Sequence, residues 1–429
     1  MDKTIQRLKE GTRFRGSGDN WDMKIIMKQM RKDAQNEDLH LFASNLIANR
    51  VSFAALQNES PIGKIEDFQL RQALLCHEEW HSYTKSCKVL VLRCLIEFLP
   101  AFSIFKNVYP KHIAHRFSSE MSKKYSFATL PIIDADERRY QDCVLILRTY
   151  EKWIWELFSK AGIVTGEIPD INVNEELLSE TAAPGQPRAQ VVFTKDDPMK
   201  ENKIMFAGDQ LTRVRFAGAK DLLSGSHTPT DRLEHCSPFK PVMWHTKASL
   251  VQYAYNLLYS SQSVNENGTL KYFREKFNRK NVTPRKVVDS FEGTEQLLIS
   301  VGKAYMVVAA LNFFGMEGVK DIPTDFPDTT SSADDTETYI EQKLESFVRK
   351  FVLQFDYDNS HADDFVRNYG LMTIFLSMLV MQMKDTAAEG DGERNLINQN
   401  FFLLFSKHLI QAVNMQLRCS HLLPKLNVH

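Results

Sequence analysis

Apolar positions along the chain change their rhythm twice. Met23 to Met30 and Leu39 to Phe53 are short runs rich in Ile, Met, Leu, Val and Phe, split by the polar stretch 31–38 as a hairpin loop would split two strands. Residues 68–98 spread Leu74, Trp80, Leu90 and Ile96 among charges and predict a helical insertion over about 66–120. Ser126 to Ile133 is a further short apolar run, predicted as a strand that stops near Pro131 and Asp134. From Tyr140 to Phe158 the apolar residues fall at i, i+3, i+4 and i+7, which predicts an amphipathic helix. Lys203 to Ala207 is a compact predicted strand ending at Gly208-Asp209, and almost everything from Pro241 onward predicts helix.

Strand, strand, helical insertion, strand, helix, strand and then helices is the element order of the ribonuclease-H-like fold. The expected class is therefore α/β and predominantly helical, with a mixed sheet, helical insertions and a helical C-terminal half. Right-handed crossover places the Tyr140–Phe158 helix across the sheet and returns the chain as a parallel strand. The expected organisation is 1–162 as the first part of the core, 163–201 as a linker that includes Pro169, Pro184, Gly185, Pro187 and Pro198, 202–260 as the rest of the core, and 261–429 as a helical region. Two further loops are expected at Gly318 to Asp335 and at Ala387 to Glu393.

Composition narrows the class. A chain of 429 residues, 43% hydrophobic and 25% charged, is that of an ordinary globular protein rather than a disordered or fibrous one. With 53 Lys+Arg against 54 Asp+Glu it is not a globally basic nucleic-acid binder, so any such role must come from a local patch. Six cysteines without a pairing pattern, and no apolar leader at the N-terminus, point to a reducing intracellular setting, nuclear or cytoplasmic. The runs Tyr369 to Met383 and Val301 to Met316 are about 15 residues each. A bilayer needs roughly 20, so no membrane partner is expected.

The expected fold brings carboxylates from its first and fourth strands together around two divalent cations about 3.5–4 Å apart, a chemistry that suits the hard oxygen ligands of Mg²⁺ or Mn²⁺. The first-strand candidates are Asp19 and Asp22, and the fourth-strand candidate is Asp209 at its strand's carboxyl end. Gly-Asp at a strand end is also a common turn. His245 follows Asp209 by about 35 residues, a spacing found in cut-and-paste transposases; on the residues alone, packing beside Trp244 at a helix start is the favoured reading. Asp134, Asp136 and Glu137 are expected to cap the helix that follows. Cys76, His77, His81 and Cys87 have a loosely zinc-like composition without a CxxC pair. Lys271, Arg274, Lys276, Arg279, Lys280, Arg285 and Lys286, interleaved with Tyr272, Phe273 and Phe277, form a candidate contact for the phosphates and bases of DNA or RNA. The same pattern also describes a solvated basic helix face.

Gly18-Asp19-Asn20 with Leu39-His40-Leu41-Phe42, the Gly208-Asp209-Gln210-Leu211-Thr212 box, Trp244-His245-Thr246-Lys247 and Asn395 to Phe402 resemble the transposon-like domain of unknown function 6589 family, over about Gly18 to Lys407. The resemblance implies a transposase-derived protein and carries the family's early Asp onto Asp19, its central Asp onto Asp209 and its His element onto His245. No activity comes with it. Members continue to a late acidic motif, whereas this chain has no Asp or Glu after Glu393. A catalytically degenerate, C-terminally truncated copy with residual nucleic-acid binding is expected. The rival expectation is a non-enzymatic helical scaffold for other proteins, in which Asp19 and Asp209 lie far apart. An active metal-dependent nuclease would need a substitute acid, for which Glu337, Glu341 and Glu345 share a helical face. A truncated end would expose Phe401, Phe402, Leu403 and Phe405 and favour association with a protein partner or with itself.

Overall fold

A computed structural model describes the chain except for residues 1, 29–30, 32–34, 53–66, 68, 166–168, 170, 172–196, 283, 328–331, 355–363 and 413–429. It divides into two compact units, one formed by 1–57 with 123–245 and the other by 58–122 with 246–429. The second unit thus joins the insertion to the C-terminal half. Their boundary falls at 245/246, inside a helix, and not at the expected 260.

The first unit opens with helix α1 (Asp2–Lys9) and contains a five-stranded mixed sheet: β1 (Phe14–Ile25), β2 (Glu37–Ala48), β3 (Phe127–Thr129), β4 (Ile204–Gly208) and β5 (Cys236–Pro241). Their order across the sheet is β3-β2-β1-β4-β5. The first three strands form an antiparallel meander, while β4 runs parallel to β1 and β5 parallel to β4. Two more helices of the described chain, α2 (His77–Phe98) and α3 (Ser118–Met121), lie in the insertion between β2 and β3. Helix α4 (Tyr140–Lys160) joins β3 to β4, and α5 (Gln210–Leu222) joins β4 to β5.

Successive strand residues point to opposite faces. Phe42, Ser44 and Leu46 of β2 and Ile204, Phe206 and Gly208 of β4 are buried on one face, beneath α4 and α5. There Tyr150 of α4 stacks on Phe206 at 4.4 Å, and Phe216 of α5 packs on Phe42 at 5.7 Å and Phe239 at 5.4 Å. Gly16 and Gly18 of β1 are needed here: a methyl at the first would overlap the Phe206 ring, and at the second the Phe42 ring. Arg15, Ser17, Asp19 and Trp21 alternate onto the opposite face.

The second unit is all helical among its described residues. It comprises α2, α3 and most of α6 (Met243–Leu258), then α7 (Leu270–Lys276), α8 (Phe291–Phe313), α9 (Ala333–Phe347), α10 (Phe365–Glu389) and α11 (Gly392–Ala412). Gly302 of α8 lets Ser377 of α10 approach so closely that a Cβ would collide with its hydroxyl. Val287–Phe313 alone among the described helices is long and apolar enough to cross a membrane. Its Leu298, Val301, Gly302 and Met306 are instead packed into this helical core. Gln382 donates from α10 to Ser86 on α2 at 2.8 Å, and Arg394 of α11 bonds both Asp391 and Asp385.

The α/β class and the helical second half agree with the sequence expectation, and α4 matches its predicted span closely. Several elements differ. β1 begins at Phe14, well before the predicted Met23, because Gly16 and Gly18 read as turn residues although they serve helix packing. β5 was not expected, since Pro238 and Pro241 break its apolar pattern. The expected loop at 387–393 is mostly helix, with Gly390 alone supplying a left-handed turn at φ 72° between α10 and α11. Phe401 is 2% exposed, packed on Tyr83 at 4.3 Å and Trp80 at 5.1 Å, so it offers no association surface. The expected linker lies largely outside the described residues, as do the side chains of Leu403 and Phe405.

Cysteine burial gives a first test. Cys76 is exposed, whereas Cys87, Cys94, Cys143 and Cys236 are buried. Burial pushes the thiols of Cys87, Cys94 and Cys143 up to about 12. In a Cys419→Ser chain, a chromogenic disulfide reagent at pH 8 should titrate one thiol in the native protein and all the remainder in guanidinium. Rapid reaction of more than one native thiol would contradict this packing.

Candidate acidic centre

Asp19 and Asp209 sit two residues beyond the parallel Ser17–Ala207 pair, each on its own strand's continuation. Adjacent strands lie about 4.8 Å apart, so the two residues are neighbours at the carboxyl edge of the sheet. Asp209 also starts α5. Its Oδ1 accepts the Thr212 backbone N–H at 2.5 Å, which satisfies one free donor of the first turn and places the negative charge at the favourable end of the helix dipole. Asp19 has no helix behind it; among the described residues its Oδ1 accepts the N–H of Asn20, at 2.9 Å. Partial desolvation raises its carboxyl above the ordinary aspartate value, and the negative charge of Asp209 adds to the rise. The Asn20 N–H and His245 pull it down.

A third carboxylate joins them. Glu137, 1% exposed, accepts from the Thr212 hydroxyl at 2.8 Å and from Arg215 of α5 at 2.9 Å. Burial is the main cause that raises its carboxyl, and both Asp209 and Asp19 add to it, against Thr212 and Arg215. The sequence reading of Glu137 as a helix cap is therefore corrected. It lies ahead of α4, but its side chain ties that approach to the first turn of α5. The position relative to a predicted helix suggested capping; only the distant Thr212 and Arg215 reveal the role.

His245 is the third residue of α6, which begins just past β5, where Val242 N–H donates to Gly208 O at 2.7 Å. That bond holds the start of the helix beside the residue preceding Asp209. His245 lies near enough to Asp19 to influence its carboxyl, and it meets Trp244 edge-on at 4.7 Å. The expected packing of His245 beside Trp244 at a helix start is what the structure shows. Asp22 does not join the centre. It alternates onto the face opposite Asp19, and its carboxylate is bonded to Nδ1 of His40 at 2.7 Å.

The remaining candidates divide. Arg274 is spent on structure, donating to Val282 O at 3.1 Å and to Glu275 at 2.6 Å, while Lys271 also pairs with Glu275 and Lys286 with Asp289. Lys276, Arg279, Lys280 and Arg285 are exposed, as is Phe277. Glu341 and Glu345 of α9 are engaged by Lys88 at 2.5 and 3.0 Å, which removes them as substitute acids. Cys87 is buried against Gln382 while Cys76 is exposed, and among the described residues no three His, Cys, Asp or Glu side chains are placed to hold a metal ion.

A second buried cluster has no counterpart among the residues expected from the sequence. His235, just ahead of β5, is fully buried, with Nδ1 against Glu151 of α4 and Nε2 3.1 Å from Asp197. Although burial also raises the Glu151 carboxyl, a carboxyl group at each ring nitrogen favours the doubly protonated imidazole. Its burial works against that charge, and the two carboxylates outweigh it, leaving its pKa above the ordinary 6.5.

Two measurements test these assignments. Glu137→Ala strands Arg215 and Thr212 and should cost about 2–3 kcal/mol, and Asp209→Ala about 1 kcal/mol through its lost cap. Asp19→Asn should leave Tm unchanged or raise it, because it removes a repulsion. A Tm loss for Asp19→Asn as large as that for Glu137→Ala would make Asp19 a structural residue. For His235, the raised pKa means its contribution is fully present below about pH 6.5 and is lost as pH rises through the folded value. His235→Gln should therefore cost about 3–5 kcal/mol at pH 6 and less at pH 9, read from urea unfolding.

A family model described as a family of unknown function (DUF6589) matches residues 57–405, a span that includes Glu137, Asp209 and His245 but not Asp19. No curated protein and no solved structure matches the chain.

Proposed function

The chain belongs to that family of unknown function, and we propose that it is a transposase-derived protein with a ribonuclease-H-like core, a degenerate phosphodiester centre and nucleic-acid binding as its remaining activity. The observation that carries this reading is the placement of Asp19 and Asp209 on neighbouring parallel strands, with His245 beside them. The 3-2-1-4-5 strand order and the two crossover helices on one face support it. The scaffold alternative needs the two carboxylates far apart, and their adjacency speaks against it.

Whether Mg²⁺ or Mn²⁺ fits is decided by the donors. Asp19 carries a charge raised in energy by burial and by Asp209 and, among the described residues, bonded to no basic side chain, which a cation would relieve. Both are hard oxygen donors. They would hold one cation, and that cation would supply Lewis-acid polarisation of a phosphate. A clamped pair of cations needs more carboxylate than this. Glu137 is turned to Arg215 and Thr212, and no other acidic side chain among the described residues completes a metal-ligand set. The reading is therefore of a weak, single-cation centre that binds phosphate without cutting it.

The four exposed cations Lys276, Arg279, Lys280 and Arg285, with Phe277, would carry the sequence-independent part of binding. Filter binding of DNA and RNA between 50 and 200 mM salt should give affinity that falls with salt. Replacing all four by Ala should lower the log–log slope by about 3 while leaving Tm within a degree or two. With Mn²⁺ present, no strand cleavage is expected. Absence of any salt-dependent binding would sink the reading, and cleavage lost in Asp19→Asn would overturn its degeneracy.

A further inference from the structure

We propose that the sheet face bearing Asp19 and Asp209 holds an unpaired nucleic-acid strand, with Trp21 and Trp244 as stacking platforms for its bases. This rests on the nucleic-acid reading above and names its substrate class.

Of the five tryptophans, Trp155 is buried and Trp80 and Trp153 are partly buried, whereas Trp21 is 45% and Trp244 38% exposed. Both exposed indoles adjoin the acidic pair. Trp21 follows Asp19 by two residues in β1, on the same face and roughly 6.6 Å further along the strand. Trp244 precedes His245 at the turn that the Val242–Gly208 bond fixes beside Asp209. Two partly exposed indoles beside one carboxylate pair offer flat aromatic faces on which a base can stack.

The surroundings favour nucleic acid over an apolar protein surface. Lys240 is exposed and pairs in register with Ala207, two residues before Asp209, so a cation shares the face with the acids. Lys28 is exposed near the end of β1. Lysines, hard carboxylates suited to a cation–phosphate bridge, and flat aromatic platforms are together the parts of a site for a strand whose bases are splayed. Bases inside a duplex are already stacked and cannot use the platforms. Met23, Leu39 and Leu41 extend an apolar track beyond Trp21, opposite one another across β1 and β2.

The probe is a 20-nucleotide oligo(dT) against a hairpin duplex of equal phosphate number at matched salt, followed by tryptophan quenching and filter binding. Wild type should prefer the single strand about tenfold or more. Trp21→Ala and Trp244→Ala should each lose about tenfold for oligo(dT), with little change for duplex. Trp21→Phe should stay within about threefold of wild type, which separates stacking from misfolding. If oligo(dT) affinity survives both Ala variants but falls when Lys276, Arg279, Lys280 and Arg285 are replaced, the inference fails while nucleic-acid binding stands. If wild type binds neither probe, both fall. A change of oligomeric mass in Trp21→Ala, with binding unchanged, would assign the face to a protein contact and overturn the proposal.

Discussion

The first unit depends on how closely two aromatic rings can approach the strands. Phe206 and Phe42 lie against Gly16 and Gly18, where any side chain would hold them off. Gly208 does the same for Thr212, whose methyl occupies the place of a Cβ. The contact brings α4 and α5 down on the sheet, with Tyr150 stacked on Phe206 and Phe216 wedged against Phe42. It also brings the first turn of α5 directly over the end of β4. Asp209 can then serve at once as strand end and helix cap, and Glu137 can reach Thr212 and Arg215. The chemistry on one face of the sheet is set by the packing on the other.

Charge around this centre is distributed unevenly. Glu137 is buried but has an arginine and a hydroxyl to offset its desolvation. Asp209 has a helix N-terminus and a backbone donor. Asp19 has one backbone N–H and a nearby histidine against a neighbouring negative charge. A purely structural carboxylate would more economically be an asparagine there. The cluster of His235, Glu151 and Asp197 shows the alternative, a buried set in which the cation is supplied by the protein itself. The contrast between a self-neutralised set and one left short of positive charge separates a structural cluster from a candidate site.

Much of this was legible in the order of elements. The amphipathic period of α4, the short apolar run of β4 and the Gly-Asp box after it needed only local pattern. Asp19 was found as a residue but placed in the wrong context, since Gly16 and Gly18 look like a turn until Phe206 and Phe42 are seen to fill their space. β5 was hidden by its prolines. Glu137 could not be assigned because its partners lie some 75 residues away. Asp22 shared a pentapeptide with Asp19, yet three residues along a strand reverse the direction of a side chain. Each miss turned on a contact distant in sequence or on the parity of a strand.

The division of the second unit between 58–122 and 246–429 also has a consequence for synthesis. Helix α2 is complete by residue 98, with Val89, Leu92 and Leu95 made to be buried. The helices that cover it, α8 and α10, begin at 291 and 365. At about 5–20 residues per second, α2 leaves the ribosome tens of seconds before its neighbours exist. For the earlier part of that interval the sheet cannot close either, because β4 and β5 follow the insertion. The nascent chain therefore carries an apolar helix whose native partners are synthesised last.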